Sequence, residues 1–230
     1  MKNILMNTEM TKAILEGRKT QTRRVLLDCK EFDIEEHESG FNLIHDYKCR
    51  IENVGIFSTK KLLMRYFSDK YSKYKIGDIL YVRETFVRGV EHDENDCPLT
   101  TEDGSDWIWR TYYRADDELI EWVDEDGENV NVPWKPSIHM PKEYARIFLK
   151  VTDVRVERLH DITYADVKKE GLPLHIDIPK EHYNNKIANG LSINPIEHWW
   201  INLWNSTAKD GYKWEDNPYV FVYEFERVER

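Results

Sequence analysis

The side chains best suited to chemistry in this sequence are gathered in one octet, Gly17-Arg18-Lys19-Thr20-Gln21-Thr22-Arg23-Arg24. Four of the eight are cationic and none is acidic, in a chain whose formal net charge is −10. A cationic cluster kept in an acidic chain points to a local anionic partner rather than to a generally basic surface. Lys19 supplies an amine, Thr22 a hydroxyl and Arg24 a guanidinium. Amines and hydroxyls serve as nucleophiles or oxyanion donors, and a guanidinium grips a carbonyl or phosphate. The competing reading is a solvated turn leading into an edge strand. The octet by itself leaves both open.

Composition narrows the classes. The 230 residues suffice for one domain with a real core, and the 40% hydrophobic and 13% aromatic content excludes disorder throughout. The negative balance argues against non-specific coating of nucleic acid, while leaving room for a small basic cleft. Cys29, Cys49 and Cys97 are odd in number and widely spaced, which reads as reduced thiols of a cytoplasmic protein. No signal-peptide core and no apolar run of membrane-spanning length occurs. The eight histidines and three cysteines show no metal-ligand spacing, so neither metal nor cofactor is expected.

Several elements must position the octet. Met6, Met10, Ala13 and Ile14 have helical spacing, with Asn7 or Thr8 as cap and Gly17 as the left-handed stop. Residues 20–27 read as extended. Residues 28–75 read as a long polar insertion with an acidic patch at 31–36 and one helix near Thr59–Tyr66. Strands are expected at Gly77–Phe86, Trp107–Arg114, Ala145–Leu159 and Tyr219–Phe225. Acidic loops fall at about 91–106 and 116–132, with a tight turn at Asp126-Gly127. The phase slip between Val151 and Val154 predicts a bend near Asp153. A short helix opens at Thr163 with Asp166 as its capping partner and stops at Gly171. An amphipathic helix starts at Asn194-Pro195 and carries Ile196, Trp199, Trp200, Leu203 and Trp204 as its core stripe. Many strands with few helices suggest an α+β chain built on a closed or partly open β-barrel.

The order of motifs resembles the ASCH domain family of the PUA-like superfamily, in particular its phage and prophage branch. Gly17, Lys19 and Arg24 fit the family's glycine–lysine–arginine signature. The register continues through Gly77-Asp78-Ile79-Leu80-Tyr81-Val82-Arg83-Glu84, Tyr113-Arg114-Ala115-Asp116 and Trp134-Lys135-Pro136-Ser137-Ile138-His139-Met140-Pro141. It ends with Val154-Arg155-Val156-Glu157-Arg158-Leu159, Leu203-Trp204 and Asn217-Pro218-Tyr219-Val220. The resemblance covers residues 1–230 as a single domain, apart from the insertion and the acidic loops.

The resemblance implies a basic cleft for RNA, a nucleotide or a modified nucleoside. The small bacterial ASCH enzymes that deacetylate cytidine acetylated on its exocyclic amine imply Lys19, Thr22 and Glu170 as catalytic residues. Two routes are open. Lys19 activates the Thr22 hydroxyl, or Glu170 activates a water while Lys19 stabilises the oxyanion. Glu170 sits in the last turn of its helix, where the macrodipole disfavours a carboxylate and suits proton transfer. In a regular strand Lys19 and Thr22 lie on opposite faces, so they converge only if Lys19 still belongs to the turn after Gly17. Gly17, Arg18, Arg23, Arg24, Arg83, Glu84, Trp134 and His139 are the candidate substrate-binding residues. Trp134, Trp107 and Trp109 are candidates for stacking on a base; of the Arg83-Glu84 pair, Glu84 can form a buried ion pair with an octet arginine, and either can instead orient a substrate. Two alternatives to the amidohydrolase are carried: a non-catalytic reader of RNA or a modified base, and a phage accessory protein that binds a host protein in the bacterial cytoplasm.

Overall fold

A computed structural model describes residues 1–26, 32–37, 40–45, 58, 60–94, 97–123, 128–176 and 194–229. The chain begins with β1 (Lys2–Leu5), α1 (Thr8–Leu15), β2 (Gln21–Val25), β3 (Phe32–His37), β4 (Gly40–His45) and α2 (Lys60–Tyr71). It continues with β5 (Ile79–Arg83), β6 (Phe86–Val90), β7 (Trp109–Tyr113), β8 (Phe148–Arg158), α3 (Tyr164–Lys169), α4 (Pro195–Thr207) and β9 (Tyr219–Val228). The class is mixed α+β, as expected. Two compact units emerge: one holds Met1–Glu16, Ile79–Leu149 and Arg227–Arg230, the other Gly17–Asp78 and Lys150–Glu226.

In the first unit β1 pairs in parallel with β5, Lys2 opposite Leu80 and Leu5 opposite Arg83. The Val82 N–H donates to the Ile147 carbonyl (3.0 Å), which brings the chain entering β8 alongside. Ile4, Leu80, Val82, Ile147 and Leu149 are buried there. Asn7 caps α1 by accepting from the Met10 N–H (2.8 Å). β6 and β7 form an antiparallel hairpin with Phe86 opposite Tyr113 and Val90 opposite Trp109. The 91–106 loop between them folds back on itself through bridges at His92–Pro98 and Thr100–Trp107. Hydrogen bonds from Thr101 and Ser105 hold the Asp103 carboxyl down to about 2.

In the second unit β9 lies between β8 and β2. β2 and β9 run antiparallel, Gln21 opposite Glu224 and Val25 opposite Val220. Residues facing each other in such a pair share a sheet face. Val220 and Val222 therefore pack on one side with Leu159, Val167 of α3, and Trp200 and Trp204 of α4. Tyr223, on the other side, accepts a hydrogen bond from the Ser72 hydroxyl (3.1 Å) and stacks edge-on against Tyr74 (4.9 Å). The buried positions of β8 shift phase as expected, from Leu149 and Val151 to Val156. The pairings of the described residues form open runs in each unit rather than a closed ring.

Three expectations change. The 28–75 segment carries an antiparallel hairpin, β3 with β4, where the sequence reads as irregular. The period-two alternation Phe32-Asp33-Ile34-Glu35 is present but masked by its acidic residues. β1 was not anticipated, because four residues are too few to establish a period. The helix near residue 60 runs longer, Lys60–Tyr71. The Asp126-Gly127 turn, Cys29, Cys49 and most of the 174–194 loop lie outside the described residues.

The α3 start follows the capping box in the sequence. Thr163 Oγ1 accepts from the Asp166 N–H (3.2 Å), and Asp166 Oδ2 accepts from the Thr163 N–H (3.1 Å). Replacing Thr163 with Ala removes the cap, and a loss of about 1 kcal/mol is expected. A lower urea midpoint at unchanged slope is the measurement that checks it.

Candidate functional site: a buried lysine, glutamate and arginine

The octet enters the second unit through a turn. Gly17 takes a positive φ of 72°, a conformation that favours glycine, just after the end of α1. The chain is then stitched to the C-terminus of α3, whose last carbonyls have no partner within the helix. The Thr20 N–H donates to the Lys169 carbonyl (2.9 Å), and Lys19 bridges to Glu170. Arg18 donates to the carbonyls of Gly171 (2.7 Å) and Leu172 (3.2 Å). Lys19 Nζ donates to the Glu170 carbonyl (2.9 Å). Lys19 thus lies at the negative end of α3, and Arg18 holds the two residues that follow its cap.

Glu170 is the C-cap of that helix, and its carboxylate is gripped at both oxygens. Lys19 Nζ donates to Oε2 (2.8 Å), and Arg23 donates to Oε1 (2.9 Å). The side chains of Lys19 and Arg23 are fully buried, and that of Glu170 is 2% exposed. Arg23 also donates to Glu157, lies 3.7 Å from Asp166, and places its guanidinium over the Trp200 ring (5.7 Å). Arg155 extends the network to Glu224 (2.7 Å), Asp166 (3.1 Å), Glu157 (3.2 Å) and the Gln21 side-chain oxygen (3.1 Å). Lys169 reaches Glu224 from the rim (3.2 Å).

Burial decides the direction of several titrations. Desolvation pushes the Lys19 ammonium below the usual lysine range, against the opposing pull of Glu170. It lowers Arg24 too, again with Glu170 opposing. Asp166 goes the other way: burial raises it, but hydrogen bonds from Thr163 and the charges of Arg23 and Arg155 outweigh that and hold it down. Glu224 is likewise held down by Arg155 and Lys169. A buried ion cluster of this kind adds little to stability compared with apolar packing. Ionisable groups shifted by burial and specific partners gather at functional sites.

Thr22 stands apart. It lies in β2 opposite Tyr223, one residue out of step with Arg23, and is 1% exposed. Its hydroxyl has no hydrogen-bond partner among the described residues. The Lys19–Thr22 hydrogen bond that a hydroxyl nucleophile needs is not made, because Lys19 is committed to Glu170. Arg24 donates to the Arg23 carbonyl (3.1 Å).

Of the candidate residues, the structure joins Lys19, Arg23 and Glu170, with Gly17 and Arg18 as their support. Arg83, Glu84, Trp134 and His139 belong to the first unit. The expected ion pair of Glu84 with an octet arginine is replaced by one with Arg146, which donates to both carboxylate oxygens (3.0 Å each). Burial raises the Glu84 carboxyl, and Arg146 opposes the shift. Arg83 donates to the Ile138 carbonyl. Trp134 sits 5.9 Å from the Arg114 guanidinium. His139 is exposed at the edge of a pocket.

Arg155, Glu157, Asp166 and Glu224 were not among the candidates. Their signal was present as the alternation Arg155-Val156-Glu157, two charges on one strand face. The missing information was which helix would cover that face. Arg155 and Glu157 also line a pocket of about 740 Å³ in the second unit, together with Met64, Asp153, Arg158 and Tyr219.

No family model, curated protein or solved structure matches this chain. No helix among the described residues is long and apolar enough to cross a membrane.

The geometry ranks the members of the cluster. Glu170→Leu leaves two buried cations facing each other, and a loss of about 3–5 kcal/mol is expected. Lys19→Met leaves Glu170 still paired with Arg23, so its loss is smaller. Urea unfolding of the two variants side by side checks the order.

Proposed function

We propose that this chain is an ASCH-type protein on a PUA-like barrel that binds a nucleotide or modified nucleoside and hydrolyses an acylated nucleobase amide. The observation that carries the reading is the Glu170 carboxylate, held out of water between Lys19 and Arg23. In the reaction Glu170 takes a proton from water as the oxygen adds to the amide carbon. Lys19 faces the charge developing on the carbonyl oxygen. Glu170 then returns the proton to the leaving amine as the C–N bond breaks, giving a carboxylic acid and the free base. Arg23 is a positioning residue, since all three of its carboxylate contacts are internal.

The near-complete burial of Lys19 and Glu170 favours a second reading, a non-catalytic reader of RNA or a modified base in which the cluster pins α3 to β2. The two separate in one assay. Incubation with acetylcytidine releases cytidine from the wild type, and Glu170→Gln lowers kcat by about 100-fold or more. Absence of turnover on acetylcytidine and related acylated nucleosides, with salt-sensitive RNA binding retained, supports the reader instead.

The pH profile follows from the Lys19 shift. Lys19 must be protonated to face the oxyanion, and its value is lowered, so activity falls on the alkaline side before the ordinary lysine value of 10.5 is reached. A variant that keeps the charge, Lys19→Arg, loses that limb while retaining part of the activity. A limb unmoved by Lys19→Arg assigns it to another group.

A further inference from the structure

The first unit contains a pocket of about 680 Å³, lined by Phe86, Arg88, Trp109, Lys135, His139 and Tyr144, with Pro141 at its edge. Its size lies within the range of small-molecule sites. Three of these side chains are basic, and no acidic residue is among them. That is unusual in a chain of net charge −10.

The cations of the buried clusters are all neutralised. Arg23 has Glu157 and Glu170, Arg146 has Glu84 and Asp116, and Arg155 has Glu224 and Asp166. Arg88 differs. Its guanidinium lies over Trp109 (5.4 Å) and Tyr144 (4.8 Å) and donates to the Tyr144 hydroxyl (2.8 Å). Its Nε is buried with no hydrogen-bond partner, and among the described residues it has no carboxylate. The Lys135 side chain likewise has none; only its backbone is fixed, through reciprocal hydrogen bonds with Phe86 (3.1 and 2.8 Å). Arg88 is therefore held rigidly by aromatic rings and an oxygen, with charge and donors to spare.

The walls supply the complementary chemistry. Trp109 is 48% exposed, an indole left half open at a pocket rather than packed in the core. Phe86 is buried behind and packs against Tyr144 (5.9 Å between ring centres). An exposed aromatic face beside unneutralised cations is the arrangement that stacks a flat ring and binds an attached anion.

We propose that this pocket binds a nucleoside monophosphate unit, with its base stacked on Trp109 and its phosphate taken by Arg88 and Lys135. His139 stands at the same rim as a further donor to the phosphate or to the sugar. The site lies wholly within the first unit and does not rest on the Lys19–Glu170 reading.

The test is equilibrium binding of cytidine monophosphate to the full chain, by tryptophan fluorescence and calorimetry, with cytidine and inorganic phosphate as separate probes. Saturable binding of the nucleotide is expected, with each half-ligand weaker by about tenfold or more. Lys135→Gln and Trp109→Leu change exposed side chains and should each weaken the nucleotide by about tenfold. Lys150→Gln, an exposed charge in the second unit, leaves it unchanged. Displacement by a short single-stranded RNA identifies a strand residue as the natural form of the unit, and failure to displace identifies the free nucleotide. No saturable binding, equal affinity for inorganic phosphate, or indifference to both pocket variants overturns the proposal. No turnover is measured, so this outcome is independent of the amidohydrolase assay.

Discussion

The second unit depends on the grip of Lys19 and Arg23 on the two carboxylate oxygens of Glu170. Through it, the entry to β2 is fixed to the end of α3, and α3 in turn presents Val167 to the tryptophans of α4. The backbone reinforces the same junction, with Thr20 donating to Lys169 and accepting from Phe225. A carboxylate at the C-terminal end of a helix is electrostatically misplaced. Two buried cations make the position tenable, and Lys19 also donates to the Glu170 carbonyl that the helix leaves open.

Such a cluster is a costly way to hold a fold. Apolar side chains of similar volume would pack at least as stably, without the desolvation of three charges. What it holds that apolar packing cannot supply is a buried carboxylate at the end of α3 and an ammonium of lowered proton affinity beside it. Arg155 and Glu157 carry the network from the buried centre to a pocket wall, so charge in the interior is linked to a surface that a ligand can reach.

The first unit handles its charges differently. Glu84 and Arg146 form a closed bidentate pair, which leaves neither free for a ligand. Arg88 is instead supported by rings and one hydroxyl, an arrangement that fixes its position without neutralising it. Pairing with carboxylates makes an arginine structural, whereas pairing with aromatic faces leaves its charge available.

Local signals were strong enough for the sequence alone to determine much of this protein. The Thr163–Asp166 capping box, the glycine stop at Gly17, the tryptophan stripe of α4 and the phase slip in β8 each act within a few residues and appear where read. The octet was legible as the densest basic segment. The split of its cations between helix carbonyls, a buried carboxylate and the Thr22 side of the strand was not. That split depends on strand pairing with β9 and on which helix covers which face, contacts between residues about 150 positions apart such as Lys19 and Glu170. The same holds for Arg88 and Trp109: the tryptophan was legible as a stacking candidate, but the pocket it shares with Arg88 exists only once β6 pairs with β7. Chemistry by residue type was set in the chain; only the tertiary structure decided which charges are neutralised and which remain to meet a ligand.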